Sequence, residues 1–117
     1  MDEKAFKDRT KKLALQIIEL VEELPNRRTA VVIGRQLLRS GTSVGANYRA
    51  ACRGRSTADV LSRLAIVEEE ADESVYWMEL LVQANIIPEA GVTELMRETN
   101  EIIAMTVASI KTLRGRR

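Results

Sequence analysis

The stretch Gly41-Thr-Ser43-Val-Gly45 matches G-x-S-x-G, the pattern that places the nucleophilic serine of many hydrolases on a sharp strand-to-helix turn. Such a serine needs a preceding strand and a general base, normally histidine, within hydrogen-bonding reach. The chain contains no histidine, and residues 30–40 repeat apolar positions at helical spacing. Ser-His-Asp and Cys-His mechanisms are therefore excluded, and we expect Ser43 to lie inside a helix.

Ser43 belongs instead to a helical repeat of polar residues. Arg39, Ser43 and Asn47 recur at intervals of four, so they share one side of a helix beside its apolar seam. Polar groups at the edge of a core need hydrogen bonds, so we expect Ser43 and Asn47 to bond each other, a backbone carbonyl exposed by a kink, or an acid on helix three. The small residues at 40–46 predict a kink and allow a neighbouring helix to approach closely.

The elements that position these residues are four predicted helices. Pro25, Pro88 and the turn at 54–56 divide the chain, and apolar residues between them recur at spacings of three and four. Short connections force antiparallel neighbours. We predict an all-α, up-down-up-down antiparallel four-helix bundle, a single domain over residues 1–117, with helix two kinked near residues 40–45. The predicted helices span residues 2–24, 28–53, 57–85 and 89–114.

Composition limits the class of protein further. Apolar residues make up 45% of the chain and charged residues 30%, which is typical of a globular protein. The single cysteine, Cys52, excludes an intrachain disulfide and is expected to be a small packed residue rather than a reactive thiol. The charged N-terminus shows no apolar signal core, and no apolar run approaches the roughly 20 residues that span a bilayer. We expect a cytoplasmic protein without membrane attachment, cofactor, metal or small-molecule substrate.

The net charge of +1 hides an uneven distribution of charge. Residues 26–63 contain eight arginines and one acid, whereas residues 64–80 contain six acids and no base. A turn near residue 54 brings Arg39 level with Glu70, so we predict a partly buried ion pair between them. Acids at 68–73 could hold a hard cation, but a solvated or salt-bridged face is the preferred interpretation.

Other arginines are predicted to face outward. Helical geometry places Arg35, Arg49 and Arg53 opposite the apolar seam of helix two, and Arg55 and Arg63 extend this line beyond the next turn. One interpretation is a solvated face. The other is a phosphate-binding stripe, because clustered arginines attract polyanions and bind phosphate through paired hydrogen bonds. RNA, or a protein bound to nucleic acid, would then be the partner.

Helix three carries apolar residues on a second face, about 180° from its main seam, and the only tryptophan lies there. Leu15 and Ile18 of helix one also point away from their seam. Scattered surface hydrophobes are one interpretation, and a homo-oligomer interface is the one we favour. Acids beside the face would need cations from a neighbouring copy. The predicted interface residues on helix three are Ile66, Glu73, Trp77, Leu80 and Ala84.

The pattern Arg39-x-x-x-Ser43-x-x-x-Asn47 resembles the helix-two signature of the bacterial four helix bundle proteins, first noticed in intervening sequences of large-subunit ribosomal RNA genes. The Asn47-Tyr-Arg-Ala-Ala and Glu68-Glu-Glu-Ala-Asp-Glu-Ser runs extend the resemblance over nearly the whole chain, although the family commonly has proline at the position of Gly45. The resemblance implies bundles that assemble as pentamers. It also implies kinship with the accessory variability protein of diversity-generating retroelements, which binds nucleic acid and a reverse transcriptase.

Three classes of function are open at this point. The leading hypothesis is a non-enzymatic, homo-oligomeric protein, pentameric by the resemblance, that binds RNA or an RNA-containing partner through its arginines. The alternative is a protein–protein adaptor or scaffold with no nucleic-acid role. An enzyme or metalloprotein has least support, because four-helix di-iron sites use Glu-x-x-His pairs that a chain without histidine cannot supply.

Overall fold

Four long α-helices make up most of residues 2–115, the part of the chain that the computed structural model describes. Each helix packs on the next in sequence and α1 also meets α4, so the helices form a square, antiparallel bundle, as predicted. A short 3₁₀ turn, Glu89–Gly91, precedes the last helix, which begins four residues later than expected. The helices are α1 (Glu3–Glu22), α2 (Arg28–Cys52), α3 (Thr57–Gln83) and α4 (Thr93–Gly115).

The ends of α3 show why the chain turns where it does. Ser56 caps the N-terminus by accepting a hydrogen bond from the Asp59 backbone N–H at 3.1 Å, as its position predicts. At the C-terminus, Asn85 adopts a left-handed conformation with φ of 59°. The Ile86 N–H then reaches the Leu81 carbonyl at 2.9 Å, which completes a Schellman motif and buries Ile86.

The core is almost entirely aliphatic. An aromatic contact within it joins Phe6 of α1 to Tyr48 of α2, edge to face, with ring centroids 4.6 Å apart. Buried hydroxyl groups are satisfied locally: Thr106, for example, donates to the Ile102 carbonyl at 2.7 Å. The largest fully buried aliphatic side chains are Leu13, Ile17, Leu37, Val44, Val67, Met78, Leu81, Val92 and Ile102.

Glycines on α2 allow α1 to approach it closely. A Cβ at Gly41 would collide with the side chain of Ile17, and one at Gly45 would lie 3.2 Å from the Thr10 hydroxyl oxygen. The expected close approach of a neighbouring helix is therefore present, and that helix is α1. α2 is helical without a break through residues 40–45, where the Thr42 hydroxyl donates to the Leu38 carbonyl at 2.7 Å, a bond typical of places where helices bend.

Candidate nucleic-acid interface

Ser43 lies in the middle of α2, half-buried, with no strand before it. The Asn47 side chain donates to the Ser43 backbone carbonyl at 2.8 Å and to its hydroxyl oxygen at 3.3 Å. Of the three kinds of partner expected from the sequence, two are present: Asn47 bonds the Ser43 side chain and also a backbone carbonyl. The G-x-S-x-G match is a coincidence of residue types inside a helix, and it does not form a nucleophile elbow.

Arg39, the third member of the predicted polar ladder, turns to α3 instead of to Ser43. Its guanidinium donates to Glu70 at 3.2 Å, which is the predicted pair, and also to Glu73. The Arg39 side chain is 49% exposed and that of Glu70 is 18% exposed, so the pair is partly buried. Glu73 also accepts a hydrogen bond from the Trp77 indole N–H at 3.0 Å. This bond and Arg39 hold the pKa of Glu73 below its usual range, against the effect of burial.

These contacts bear on the acids beside the second face of α3. We expected Glu69, Glu70 and Glu73 to need cations from a neighbouring copy, but Arg39 of the same chain binds Glu70, as the predicted pair, and also Glu73. Of the predicted interface residues on α3, Ile66 and Ala84 are exposed, while Trp77 and Leu80 are half-buried against the core. The more exposed aromatic side chain is Tyr76, at 51%. Since an indole is long enough to fold back over the flank of its helix, the angular position of Trp77 alone overstated its exposure.

Three of the predicted phosphate-binding arginines lie together at the turn between α2 and α3. Arg53, Arg55 and Arg63 line one open cleft of about 460 Å³, together with Asp59. Asp59 accepts a hydrogen bond from the Arg55 backbone N–H at 3.2 Å and lies 3.6 Å from the Arg63 guanidinium. The acid therefore fixes the loop and one arginine, and Arg53 and Arg55 form no ion pair within the described residues.

Arg49 and Arg35 do not join this cleft. Arg49 lines a groove between α1 and α2 with Lys7 and Lys11, two cations that the helix-two pattern could not reveal. Arg35 lies near the other end of α2, in a groove formed mainly by apolar residues such as Leu38. The predicted stripe of five arginines is thus divided over three surfaces.

Charge in the folded molecule separates along its length, which is 48 Å against 21 and 20 Å across. One half contains the start of α1, the turn between α2 and α3 and the end of α4. This half, residues 2–12, 45–69 and 102–115, has eleven basic and six acidic residues. The other half, residues 13–44 and 70–101, has five basic and eleven acidic residues. The arginine cleft is at the tip of the basic half, where the summed field favours a polyanion.

Two further contacts were not foreseen. Arg9 of α1 binds both carboxylate oxygens of Glu98 on α4, at 2.9 and 2.7 Å, and also reaches Glu101 at 3.1 Å. This bidentate pair holds the pKa of Glu98 below its usual range.

Cys52 is half-buried, and burial raises the pKa of its thiol, which agrees with a packed rather than a reactive cysteine.

The described residues contain no group of three histidine, cysteine, aspartate or glutamate side chains placed to hold a metal ion. None of the helices in this part of the chain is both long and apolar enough to cross a membrane. Guanidinium groups are grouped at one end of the bundle, and most carboxylates lie in the other half.

The fold and its surface define the class: an antiparallel four-helix bundle with a basic and an acidic half. Over residues 3–108 the chain matches the family described as 23S rRNA-intervening sequence protein, and it belongs to that family. It is similar, at 35% identity and a TM-score of 0.88, to a crystal structure from Bacteroides thetaiotaomicron. That structure is of a protein of unknown function from the S23 ribosomal protein family, and the match covers 95% of this chain and 99% of the other. No curated protein matches the chain.

Proposed function

We propose that this protein is a non-enzymatic homo-oligomer that binds structured RNA through the cleft at its basic end. The observation that carries the proposal is the grouping of Arg53, Arg55 and Arg63 around one concave surface. Guanidinium groups bind phosphate oxygens in a bidentate manner, and three of them in one cleft suit a folded phosphate backbone. Membership of a family described by ribosomal RNA intervening sequences agrees with RNA as the polyanion.

Internal pairing leaves the cleft arginines open to a ligand, because among the described residues Arg53 and Arg55 form no ion pair and Arg63 forms one long contact. Asp59 contacts Arg63 at 3.6 Å, longer than a hydrogen bond, and both side chains stay about 40% exposed. The start of α3, capped by Ser56, adds the positive end of a helix dipole beside Arg55. A phosphate group would therefore meet several donors whose backbone supports are already fixed.

The homo-oligomeric part of the proposal is supported by exposed apolar side chains on opposite helices, including Leu15 at 56% and Tyr76 at 51%. Resemblance to family members that form pentamers favours a five-membered assembly. Several copies would present several arginine clefts, and multivalent binding raises the apparent affinity without any new contact.

Binding of a structured RNA over a range of salt concentrations tests the RNA part. We expect Arg53→Glu/Arg55→Glu to weaken binding by tenfold or more at low salt. The variant should also show a shallower decrease of log K with log salt, because each phosphate contact in a duplex contributes about −0.9 to that slope. Arg35→Glu is the matched control, because it reverses an exposed arginine of α2 outside the cleft. Absence of binding at low salt, or equal loss in the control, would contradict the proposal.

The adaptor alternative predicts a different result in the same cleft, because carboxylates also bind arginine in a bidentate manner. Under it, wild-type protein would capture an acidic protein from nuclease-treated extract and would show no affinity for purified RNA. The Arg53→Glu/Arg55→Glu variant would lose that capture. Binding of RNA and of the acidic protein is measured with both the wild type and the Arg53→Glu/Arg55→Glu variant. The partner that binds the wild type and is lost in the variant distinguishes the two functions.

A further inference from the structure

Two opposite faces of the bundle carry opposite charge. Because the helices pack in the order α1, α2, α3, α4 around a square, the α1–α2 face and the α3–α4 face lie on opposite sides of the molecule. The first face carries Lys7, Lys11 and Arg49 against one acid, Asp8, and within α1 Asp8 pairs with Lys4 and Lys7 with Glu3. The second carries Glu68, Glu69 and Asp72, none of which forms an ion pair within the described residues.

The α1–α2 face combines its cations with a shallow groove and exposed apolar side chains. Small residues form the floor of a groove of about 460 Å³: Ala14 on α1 and Thr42, Gly45 and Ala46 on α2. Further along the same face, Leu15, Ile18 and Leu38 are 56%, 37% and 37% exposed. The face is thus basic towards the start of α1 and apolar towards its end.

The α3–α4 face shows the complementary order. A groove of about 340 Å³ is lined by the acids Glu68, Glu69 and Asp72, with Ala65 and Ile103 as its apolar floor. One helical turn beyond Asp72, Tyr76 is 51% exposed on the same side of α3. This face is acidic at one height and aromatic at the next.

The two faces match in height along the bundle. Gly41 lies against Ile17 and Gly45 against Thr10, and Ser40 hydrogen-bonds Ser74 at 2.9 Å. In antiparallel helices these contacts place Lys11 level with Glu68 and Glu69. By the same register, Leu38 and Ile18 are level with the turn of α3 that carries Tyr76. The cations of the α1–α2 face are therefore level with the acids of the α3–α4 face. The exposed apolar side chains of the first face are level with the ring of Tyr76 on the second.

We propose that the α1–α2 face of one copy docks on the α3–α4 face of the next copy, side by side and in the same direction. The inference rests on the proposed homo-oligomer and identifies the surfaces that meet. Such a contact between two different faces is heterologous, so each copy offers one face to each of two neighbours, and the rotation between neighbours decides whether the assembly closes. Because the copies point in the same direction, all arginine clefts would lie along one edge of the assembly, and the opposite edge would be acidic.

Molar mass by light scattering, on reciprocal charge reversals, tests this pairing. Lys7→Glu/Lys11→Glu reverses one face, and Glu68→Lys/Glu69→Lys reverses the other. We expect each double variant to shift from oligomer to monomer, because like charges then oppose each other. The quadruple variant should recover the wild-type mass, since both faces are reversed together. Arg28→Glu, an exposed residue outside both grooves, serves as a control that should leave the mass unchanged.

The outcomes separate the two proposals. A monomeric wild-type protein would overturn the homo-oligomer and this interface with it. An oligomeric wild type whose mass is unaffected by either double reversal, or not restored in the quadruple variant, would overturn the interface alone. Should a double variant lack helical structure by circular dichroism, the single replacements Lys11→Glu and Glu69→Lys and their combination give the same test. RNA binding by the arginine cleft is measured separately and does not depend on this result.

Discussion

Helix α1 is held on its two sides by different kinds of contact. Against α2 it packs through Ile17, which is fully buried on the surface left by Gly41. Against α4 the contact is sparser, and its main feature is the ion pair of Arg9 with Glu98, whose side chains are 34% and 28% exposed. One seam excludes water by close packing, and the other stays in reach of solvent and salt.

The difference predicts which conditions each seam responds to. Close packing depends on shape, so the α1–α2 seam should be sensitive to a single methyl group and indifferent to pH. A partly exposed ion pair gains little free energy and depends on the charge of both partners. The Arg9–Glu98 contact should therefore respond to pH and salt and tolerate changes in volume. Mutations in the two seams can establish or break this contrast.

The largest expected effect is in the packed seam. Ile17→Ala should lower the free energy of unfolding by about 2–5 kcal/mol, the usual cost of truncating a fully buried aliphatic side chain. Gly41→Ala should also destabilise the protein. Overpacking against Ile17 costs about 1–3 kcal/mol, and the preference of a helix for alanine over glycine offsets about 1 kcal/mol of this cost. In the Ile17→Ala background, however, the added methyl enters the vacated space, so Gly41→Ala should become stabilising.

Chemical denaturation of the two single variants and the double variant measures this reversal of sign. Gly115→Ala is the control, because a Cβ there would have no neighbour within 4 Å and its effect should be the same in both backgrounds. If Gly41→Ala changed stability by the same amount with isoleucine or alanine at position 17, direct packing between the two residues would not be the reason for the glycine.

Much of this fold could be predicted from the sequence because its signals are local. Apolar spacing of three and four residues fixed the helices, and Ser56 marked the start of α3. The turn near residue 54 also set the register in which Arg39 meets Glu70. The start of α4 was misplaced because Pro88 was assigned to the first turn of an α-helix, whereas it is the extended residue that precedes the 3₁₀ turn Glu89–Gly91.

The candidate site was less predictable, because it depends on contacts between distant segments. Nothing in helix two indicates that Lys7 and Lys11 lie beside Arg49, since this follows only from the height at which α1 packs on α2. The pairing of Arg9 with Glu98 likewise joins residues at opposite ends of the chain. Helical angles alone grouped Arg35 with Arg49, because they give the side of a helix but ignore the distance along it.

A smaller effect is expected in the charged seam. Glu98→Gln should lower the free energy of unfolding by about 1 kcal/mol at neutral pH, because it removes one charge of a bidentate pair. The pKa of Glu98 is lowered by folding, so its contribution is complete above the unfolded-state value of about 4.3 and is lost as pH falls through the lower folded-state value.

Urea unfolding of wild type and Glu98→Gln across the acidic range, at low and high salt, measures this contribution. The difference between the two proteins should shrink on acidification and on addition of salt. Glu94→Gln is a fitting control, because its pair with Arg97 lies within α4 and is largely exposed, so little change is expected. A difference that persists in acid would mean that the residue acts through packing, and the contrast between the seams would fail.

The smallest effect concerns a second charged contact, between α2 and α3, which carries its own reporter. Trp77, the only tryptophan, donates to Glu73 at 3.0 Å, and Arg39 also binds this carboxylate. Protonation of Glu73 should alter the tryptophan fluorescence. Because the pKa of Glu73 is lowered, first by the Trp77 hydrogen bond and then by Arg39, the midpoint should lie below about 4.3.

Arg39→Gln should move that midpoint upward, since one of the two groups that stabilise the charged form is gone while the indole remains. Arg35→Gln, an exposed arginine on the same helix outside this contact, should leave the midpoint unchanged. Circular dichroism over the same range shows whether the helices stay intact while the fluorescence changes. A midpoint at or above the ordinary glutamate value, or one that ignores Arg39, would mean that Glu73 is not bound as the structure shows. A transition that moves with Arg39 while the helices persist would show that a charged contact responds to pH locally, in a bundle whose packed seams do not.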